Sequence, residues 1–168
     1  RDDTLDHPLH TSKNKTEHPP VVLLKHHGRL ANQLFTFGHL IAHSTETGAY
    51  IFNPAFHRYG KYFLGSCRDP LCRFPQKVGR LISYFPMSAH DWLRHQITSL
   101  AKRMPNVFSV VKSGREIISL EELTDTYASN HFLAFIGDNY HSSHHNDCAV
   151  QAIRNYLQPI EYHQTKIN

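Results

Sequence analysis

The stretch "VVLLKHHGRLANQLFTFGHLIAHSTETGAYIF", residues 21–52, decides the fold class of this chain. Its first four residues are apolar and run into a basic corner, which predicts a short buried strand over Val21–Lys25. Apolar residues then recur at helical spacing, at Leu30, Leu34, Phe37 and Ile41. This pattern predicts a helix over Leu30–Thr47 that stops at Gly48, and residues 49–52 predict a second strand. The stretch is therefore typical of a βαβ unit with a right-handed crossover.

Further strands and helices alternate along the rest of the chain. Apolar runs at residues 107–111 and 131–136 predict strands, and residues 148–157 have the pattern of an amphipathic helix. A shorter helix is predicted after Ser119, because Glu122 stands three residues on and completes a capping box. This alternation favours an α/β layered sheet, and the segment after residue 136 is expected to be an irregular loop.

The length and net charge of the chain indicate how many domains it has and which classes of partner it can bind. A chain of 168 residues suits one domain or one lobe of a larger protein. Residues 1–20 are polar and end in two prolines, which predicts a mobile arm, and residues 21–168 form the predicted lobe. The net charge of +4 favours phosphorylated small molecules. Because the Lys and Arg residues are scattered, no nucleic-acid partner is expected.

Three cysteines, Cys67, Cys72 and Cys148, bear on the cellular compartment. They fit reduced thiols in a cytoplasmic protein, with a Cys67–Cys72 disulfide as the alternative for an exported one. No run approaches the ~18 apolar residues of a membrane span. The predicted location is the cytoplasm, at the inner face of the membrane through peripheral contact.

The corner between the first strand and the first helix is suited to a ligand. In open α/β sheets, ligands lie beyond the carboxyl ends of the strands, and a helix start favours phosphate. Gly28 allows close approach, Arg29 can make a two-pronged charged contact, and Asn32 and Gln33 can bond hydroxyls or carbonyls. His27 is a possible second phosphate contact. The chemistry fits a nucleotide-sugar diphosphate; alternatively, Asn32 and Gln33 only tie down the loop and Arg29 is solvated.

Residues 28–43, "GRLANQLFTFGHLIAH", resemble the N-terminal motif of glycosyltransferase family 11, the α-1,2-fucosyltransferases. A similar G-R-F-x-N-Q string occurs in protein O-fucosyltransferases. The matching positions are Gly28, Arg29, Leu30, Asn32, Gln33, Leu34, Phe35 and Phe37. Ala31 and Gly38 depart from the pattern. Residues 132–159 carry a weaker likeness, in which Ile153, Arg154 and Tyr156 fit the family's helix after a Gly-aromatic loop.

The resemblance implies a Rossmann-like lobe of a GT-B-type glycosyltransferase. Such an enzyme transfers fucose from GDP-fucose, bound between two lobes, to a glycan hydroxyl such as the 2-position of galactose. The reaction inverts the anomeric centre, and no metal or other cofactor is expected. By this likeness Arg29 would stabilise the diphosphate leaving group or hold the lobe closed. Asn32 and Gln33 would orient the donor or tie the lobes together.

One family motif is missing. The string that resembles H-[IV]-R-R-G-D-Y, which binds the guanine nucleotide, does not occur in residues 1–168. The resemblance therefore implies an N-terminal half whose partner, the C-terminal donor-binding lobe, is absent. Such a half is expected to be inactive alone.

Two further groups of polar residues carry possible chemistry. Asp138 follows the strand predicted at 131–136, where α/β enzymes often keep an acid or base; the alternative is a loop-capping aspartate. The loop "HSSHH" with Asp147 places His141, His144 and His145 near a carboxylate. Because histidine is abundant, with 15 copies in the chain, no native metal site is expected there. The alternative function is a non-catalytic carbohydrate- or metal-binding module with a His-rich surface.

Overall fold

A five-stranded sheet forms the centre of the fold, and helices cover both of its faces. The computed structural model describes residues 18–26, 28–76, 87–114, 116–127, 131–144 and 146–160. In chain order the elements are β1 (Val21–Lys25), α1 (Leu30–Thr47), β2 (Ile51–Phe52), a 3-10 turn (Pro54–Phe56), α2 (His57–Gly60), β3 (Arg73–Phe74), α3 (Met87–Arg103), β4 (Phe108–Lys112), β5 (Ile118–Ser119), α4 (Leu120–Thr126), β6 (Phe132–Ile136), β7 (Tyr140–His141) and α5 (Asp147–Tyr156).

The strand order of the central sheet is β3-β2-β1-β6-β4. Strand β1 runs parallel to both β2 and β6, and β4 runs parallel to β6. Only β3, at the edge, is antiparallel to its neighbour. The sheet is therefore mixed but mostly parallel. This confirms the predicted α/β class and is compatible with a Rossmann-like lobe.

The first four residues of strand β1, Val21 to Leu24, are apolar because both faces of the strand are buried there. Val21 and Leu23 belong to the core beneath α1, whereas Val22 and Leu24 belong to the core beneath α3. Successive side chains of a strand point to opposite faces, so a strand covered on both sides needs apolar residues at every position. The prediction of a buried strand over Val21–Lys25 is confirmed.

Helix α1 has the predicted bounds, Leu30–Thr47. It ends because Gly48 takes a φ of 76°, and its N–H donates to the carbonyl oxygen of Ser44 at 2.8 Å. Residues 36–44 are all buried. The helix is covered this completely because it contacts α5, β7 and α4 as well as the strands of the sheet. Polar side chains within this stretch, including Thr36, His39 and His43, are therefore enclosed.

Smaller differences from the predicted elements occur at their ends. Strand β2 is limited to Ile51–Phe52, and β4 and β6 each begin one residue later than predicted. Ser119 caps α4 as expected, since its Oγ accepts a hydrogen bond from the N–H of Glu122 at 3.4 Å. The segment after β6 is not wholly irregular, because β7 pairs in parallel with β5. That pairing joins residues more than twenty positions apart, so no local sequence pattern predicts it.

Other expectations concern the arm, the cysteines and the membrane. Residues 1–17 of the predicted arm lie outside the described residues. Cys67, Cys72 and Cys148 are all free thiols, so the short disulfide does not form. Within the described ranges, no helix combines the length and the apolar composition needed to cross a membrane.

Candidate functional site at the carboxyl edge of the sheet

Three polar side chains form a row across the carboxyl edge of the central sheet. His26 follows β1, Asn53 follows β2 and Asp138 comes just after β6. His26 lies in the middle: its Nδ1 is 3.1 Å from Asp138 Oδ1, and its Nε2 is 3.1 Å from Asn53 Oδ1. The three strands are adjacent in the order β2-β1-β6, so their ends bring the three side chains together. In open α/β sheets, ligands bind beyond the carboxyl ends of the strands, so this edge is a candidate site.

The row is buried on one side and reaches solvent on the other. Asn53 is fully buried and the His26 side chain is 2% exposed, whereas that of Asp138 is 13% exposed. A carboxylate accepts hydrogen bonds only, so His26 donates its Nδ1–H to Asp138. Asp138 is thus the member of the row that a ligand can reach, and His26 holds it in place.

The backbone around Asp138 is held by polar contacts from two directions. Thr36 of α1 donates from its Oγ1 to the carbonyl oxygen of Asp138 at 2.7 Å. Gly137 continues the ladder of the sheet, because its N–H donates to the carbonyl oxygen of Lys25 at 2.9 Å. The Tyr140 hydroxyl donates toward the carbonyl oxygen of Val111, 2.9 Å away, and accepts from the N–H of Ile136 at 3.1 Å. These contacts join the ends of β4 and β6 and fix the position of Asp138.

Gly137 can be only glycine in this arrangement. Its φ is 123°, a region that residues with a Cβ rarely adopt, and a Cβ there would overlap the Ser113 hydroxyl oxygen. We therefore expect Gly137→Ala to lower the free energy of unfolding by roughly 2–4 kcal/mol, from backbone strain and overpacking together. Urea denaturation measures this change. Gly114→Ala is the matched control, because a Cβ at Gly114 meets no atom within 4 Å.

Gly114→Ala is expected to change the same free energy by less than about 1 kcal/mol. Equal losses in the two variants would show that the strained conformation of Gly137 does not hold the loop that carries Asp138.

The Gly28–Gln33 turn lies beside this row, at the start of α1. Gly28 has a φ of 106°, and a Cβ there would come within 2.6 Å of Asn32 Nδ2. Gln33 donates from Nε2 to the carbonyl oxygen of Gly28 at 3.2 Å and is 9% exposed. Its side chain therefore ties down the turn, as the structural alternative for this residue predicts. Its Oε1 is buried and has no hydrogen-bond partner in the described part of the chain.

Arg29 and Asn32 are the open side chains of the turn. Both are exposed, and Arg29 occupies the N-cap position of α1 without any side-chain capping bond. The first turn of α1 contains no acidic residue. The free N–H groups and the positive end of the helix dipole are therefore available to an anion, and Arg29 stands at the N-cap of the same helix. His27, predicted as a further donor contact, lies outside the described residues.

A cleft of about 270 Å³ opens beside Asp138 and Asn32. Its walls are Phe35 and Ile117, whose side chains are 58% and 71% exposed, and it is completed by Asn139 and His141. Apolar faces beside amide and carboxylate groups suit a sugar ring, which has both apolar C–H faces and hydroxyls. Asp138, predicted as a catalytic residue, and Asn32, predicted as a donor-binding residue, line the same cleft.

The histidines of the segment after β6 are placed differently from the loop cluster considered in the sequence. His141 contacts His39 of α1, with ring centroids 3.8 Å apart and the two rings tilted by 36°. His144 lies instead beside His43 of α1 and Glu121 of α4. Asp147 is the first residue of α5, and His145 lies outside the described residues. A possible metal-binding set is thus formed by three elements and not by one loop.

Sequence reasoning missed His26, Asn53, His43 and Glu121. His26 and Asn53 follow predicted strands, and His43 and Glu121 lie within predicted helices; a polar side chain at such a position is a weak signal by itself. His26 and Asn53 could have been found from one clue: each immediately follows a predicted strand of the βαβ unit.

Comparison of the chain with protein-family models, with curated proteins and with solved structures found no match. The likeness to glycosyltransferase family 11 therefore depends on the motif in residues 28–43 and stays a prediction.

Proposed function

We propose that this chain is a lobe of a GT-B-type, fucosyltransferase-like enzyme that transfers fucose from GDP-fucose to a glycan hydroxyl, with galactose O2 as the expected acceptor. One observation carries the proposal: the Gly28–Gln33 turn and the Asp138–His26 pair lie at the same edge of a mostly parallel sheet. The cleft of about 270 Å³ touches both Asn32 and Asp138. The motif likeness in residues 28–43 supplies the donor and the reaction class.

The turn supplies the positive side of the proposed site. When the bond from fucose to the diphosphate breaks, negative charge grows on the departing GDP. Arg29 and the free N–H groups of α1 can stabilise that charge, because Arg29 is exposed and the first turn contains no acidic residue that would neutralise it. Asn32 faces the cleft and can orient a hydroxyl of the donor.

The Asp138–His26 pair supplies the proton acceptor. The acceptor hydroxyl attacks the anomeric carbon of fucose, and the carbon–phosphate-oxygen bond breaks with its electron pair leaving on GDP. The hydroxyl proton passes to the Asp138 carboxylate. His26 keeps this carboxylate oriented through its Nδ1, 3.1 Å away. No metal takes part in this step, since Arg29 and the helix start provide the positive charge.

A second lobe would hold the guanine nucleotide, as the family likeness implies. The partners of this chain would then be the nucleotide sugar, the glycan and that lobe. Peripheral contact with the inner face of a cytoplasmic membrane, and the absence of a nucleic-acid partner, belong to the same proposal.

A non-catalytic carbohydrate-binding module is the second candidate function. The exposed faces of Phe35 and Ile117 on the cleft favour it, because such faces bind sugars without any chemistry. The discriminating experiment measures GDP release from GDP-fucose with a β-galactoside acceptor, using the assembled two-lobe enzyme. We expect GDP release in the presence of a chelator. Glycan binding without GDP release would contradict the enzyme and support the module.

A further inference from the structure

A second polar cluster lies on α1, far from the turn. It consists of His43 of α1, Glu121 of α4 and His144 of the segment before α5. His43 stands 13 residues after the first residue of α1. At about 1.5 Å rise per residue this places it roughly 20 Å along the helix from the turn. The cluster is therefore separate from the site proposed for transfer.

The side chains of the cluster converge on one point. His43 Nδ1 is 3.9 Å from Glu121 Oε1, and His144 Nε2 is 3.5 Å from the same oxygen. One ligand atom from each residue lies within 4.8 Å of the others. In a tetrahedral zinc site, ligand atoms about 2.0–2.1 Å from the ion are about 3.3 Å from one another. Shifts of a few tenths of an ångström to about 1.5 Å bring the three atoms to that spacing.

His43 is the fully buried member of the cluster. Its side chain is fully buried, and neither Nδ1 nor Nε2 has a hydrogen-bond partner in the described part of the chain. A buried polar group without such a partner is costly, and most find one. Burial lowers the pKa of His43 to about 4, although Glu121 opposes the shift.

Glu121 is held in position by hydrogen bonds from three serines. Ser142 Oγ donates to Glu121 Oε1 at 2.6 Å, and the N–H of Ser143 donates to the same oxygen at 3.1 Å. Ser119 Oγ donates to Oε2 at 3.0 Å. Partial burial raises the pKa of Glu121, but these bonds outweigh it and lower the pKa to about 2. These hydrogen bonds hold the carboxylate in one orientation, as is usual for metal-binding carboxylates.

We propose that His43, Glu121 and His144 bind a zinc ion, with a fourth coordination position open to water or another small ligand. Two imidazoles and one carboxylate are ligands that zinc accepts in sites with an open position. The buried, unpartnered ring of His43 distinguishes this set from a chance group of surface histidines. The ion would join α1, α4 and the segment that links β7 to α5. This inference does not depend on the proposed transferase activity.

The test uses the metal alone as its probe. The chelator-stripped chain is titrated with Co²⁺, whose visible absorption reports coordination, and Zn²⁺ is then added to displace it. We expect one saturating equivalent with the intense visible absorption of a four- or five-coordinate site, displaced by Zn²⁺. Zinc is also expected to raise the thermal midpoint of the wild-type chain.

Variants decide which residues bind the ion. His144→Ala and Glu121→Gln should each weaken Co²⁺ binding at least tenfold and reduce the rise in midpoint. Both side chains are partly exposed, so these changes leave the core in place. His95→Ala is the control, because His95 is an exposed histidine on α3, which packs on the opposite face of the sheet. It should bind as the wild type does.

Two results would overturn the proposal. One is wild-type affinity in both His144→Ala and Glu121→Gln. The other is weak wild-type binding with no one-to-one saturation, as expected from scattered surface histidines. If His144→Ala fails to fold, the conservative Glu121→Gln change and the zinc-dependent midpoint of the wild type still decide the outcome.

Discussion

Asp138→Asn is expected to lower kcat for fucosyl transfer by roughly 10²–10⁴-fold in the assembled two-lobe enzyme, the usual contribution of a general base. Asparagine has nearly the size of aspartate and still accepts a hydrogen bond from His26, but it cannot take the proton of the acceptor hydroxyl. The carbonyl oxygen of residue 138 keeps its bond to Thr36, so the backbone stays in place. GDP release under saturating donor and acceptor measures the change.

The controls separate proton transfer from folding. Asp91→Asn makes the same chemical change at an exposed aspartate on α3 and should leave kcat unaltered. His26→Ala tests a positioning residue: we expect a smaller loss of kcat and a shifted pH profile, because the 3.1 Å contact that orients Asp138 is gone. A folded Asp138→Asn variant with wild-type kcat would show that Asp138 is not the base.

Arg29→Ala is expected to lower kcat by about a hundredfold or more, as loss of one charge-stabilising donor typically does. The loss is expected in kcat because negative charge on the diphosphate is greatest as GDP departs. Arg29→Lys should restore only part of the rate, since an ammonium cannot reproduce a two-pronged contact. Gln33→Ala should instead lower stability, because this side chain is mostly buried and bonds the carbonyl oxygen of Gly28.

The thermal midpoint and kcat must both be measured for the Arg29→Ala variant. Its side chain is exposed and makes no capping bond to α1, so the thermal midpoint of Arg29→Ala is expected to match the wild type. Arg103→Ala, at the exposed end of α3, is the matched loss of a guanidinium and should preserve both quantities. A folded Arg29→Ala enzyme with unchanged kcat would remove Arg29 from the site.

The elements that carry the fold were predictable because their signals are local. Helix α1 was placed correctly from the spacing of its apolar residues and from Gly48, whose positive φ ends it. The apolar run of β1 indicated a strand buried on both faces, which the two cores confirm. Ser119 was identified as a cap because its partner Glu122 lies only three residues away. In each case the pattern that predicts the element lies within a short run of the sequence.

The two candidate sites depend on contacts between residues that are far apart in the sequence. His26, Asn53 and Asp138 meet only because β2, β1 and β6 are adjacent in the sheet, and strand order is set by packing of the whole core. His43 and His144 are about a hundred positions apart and come together because β7 and the segment after it lie along α1. The sequence alone determined the βαβ unit and which polar residues stand in the Gly28–Gln33 turn. Tertiary structure decided which distant side chains contact the βαβ unit. Those contacts arise from long-range burial and not from local periodicity.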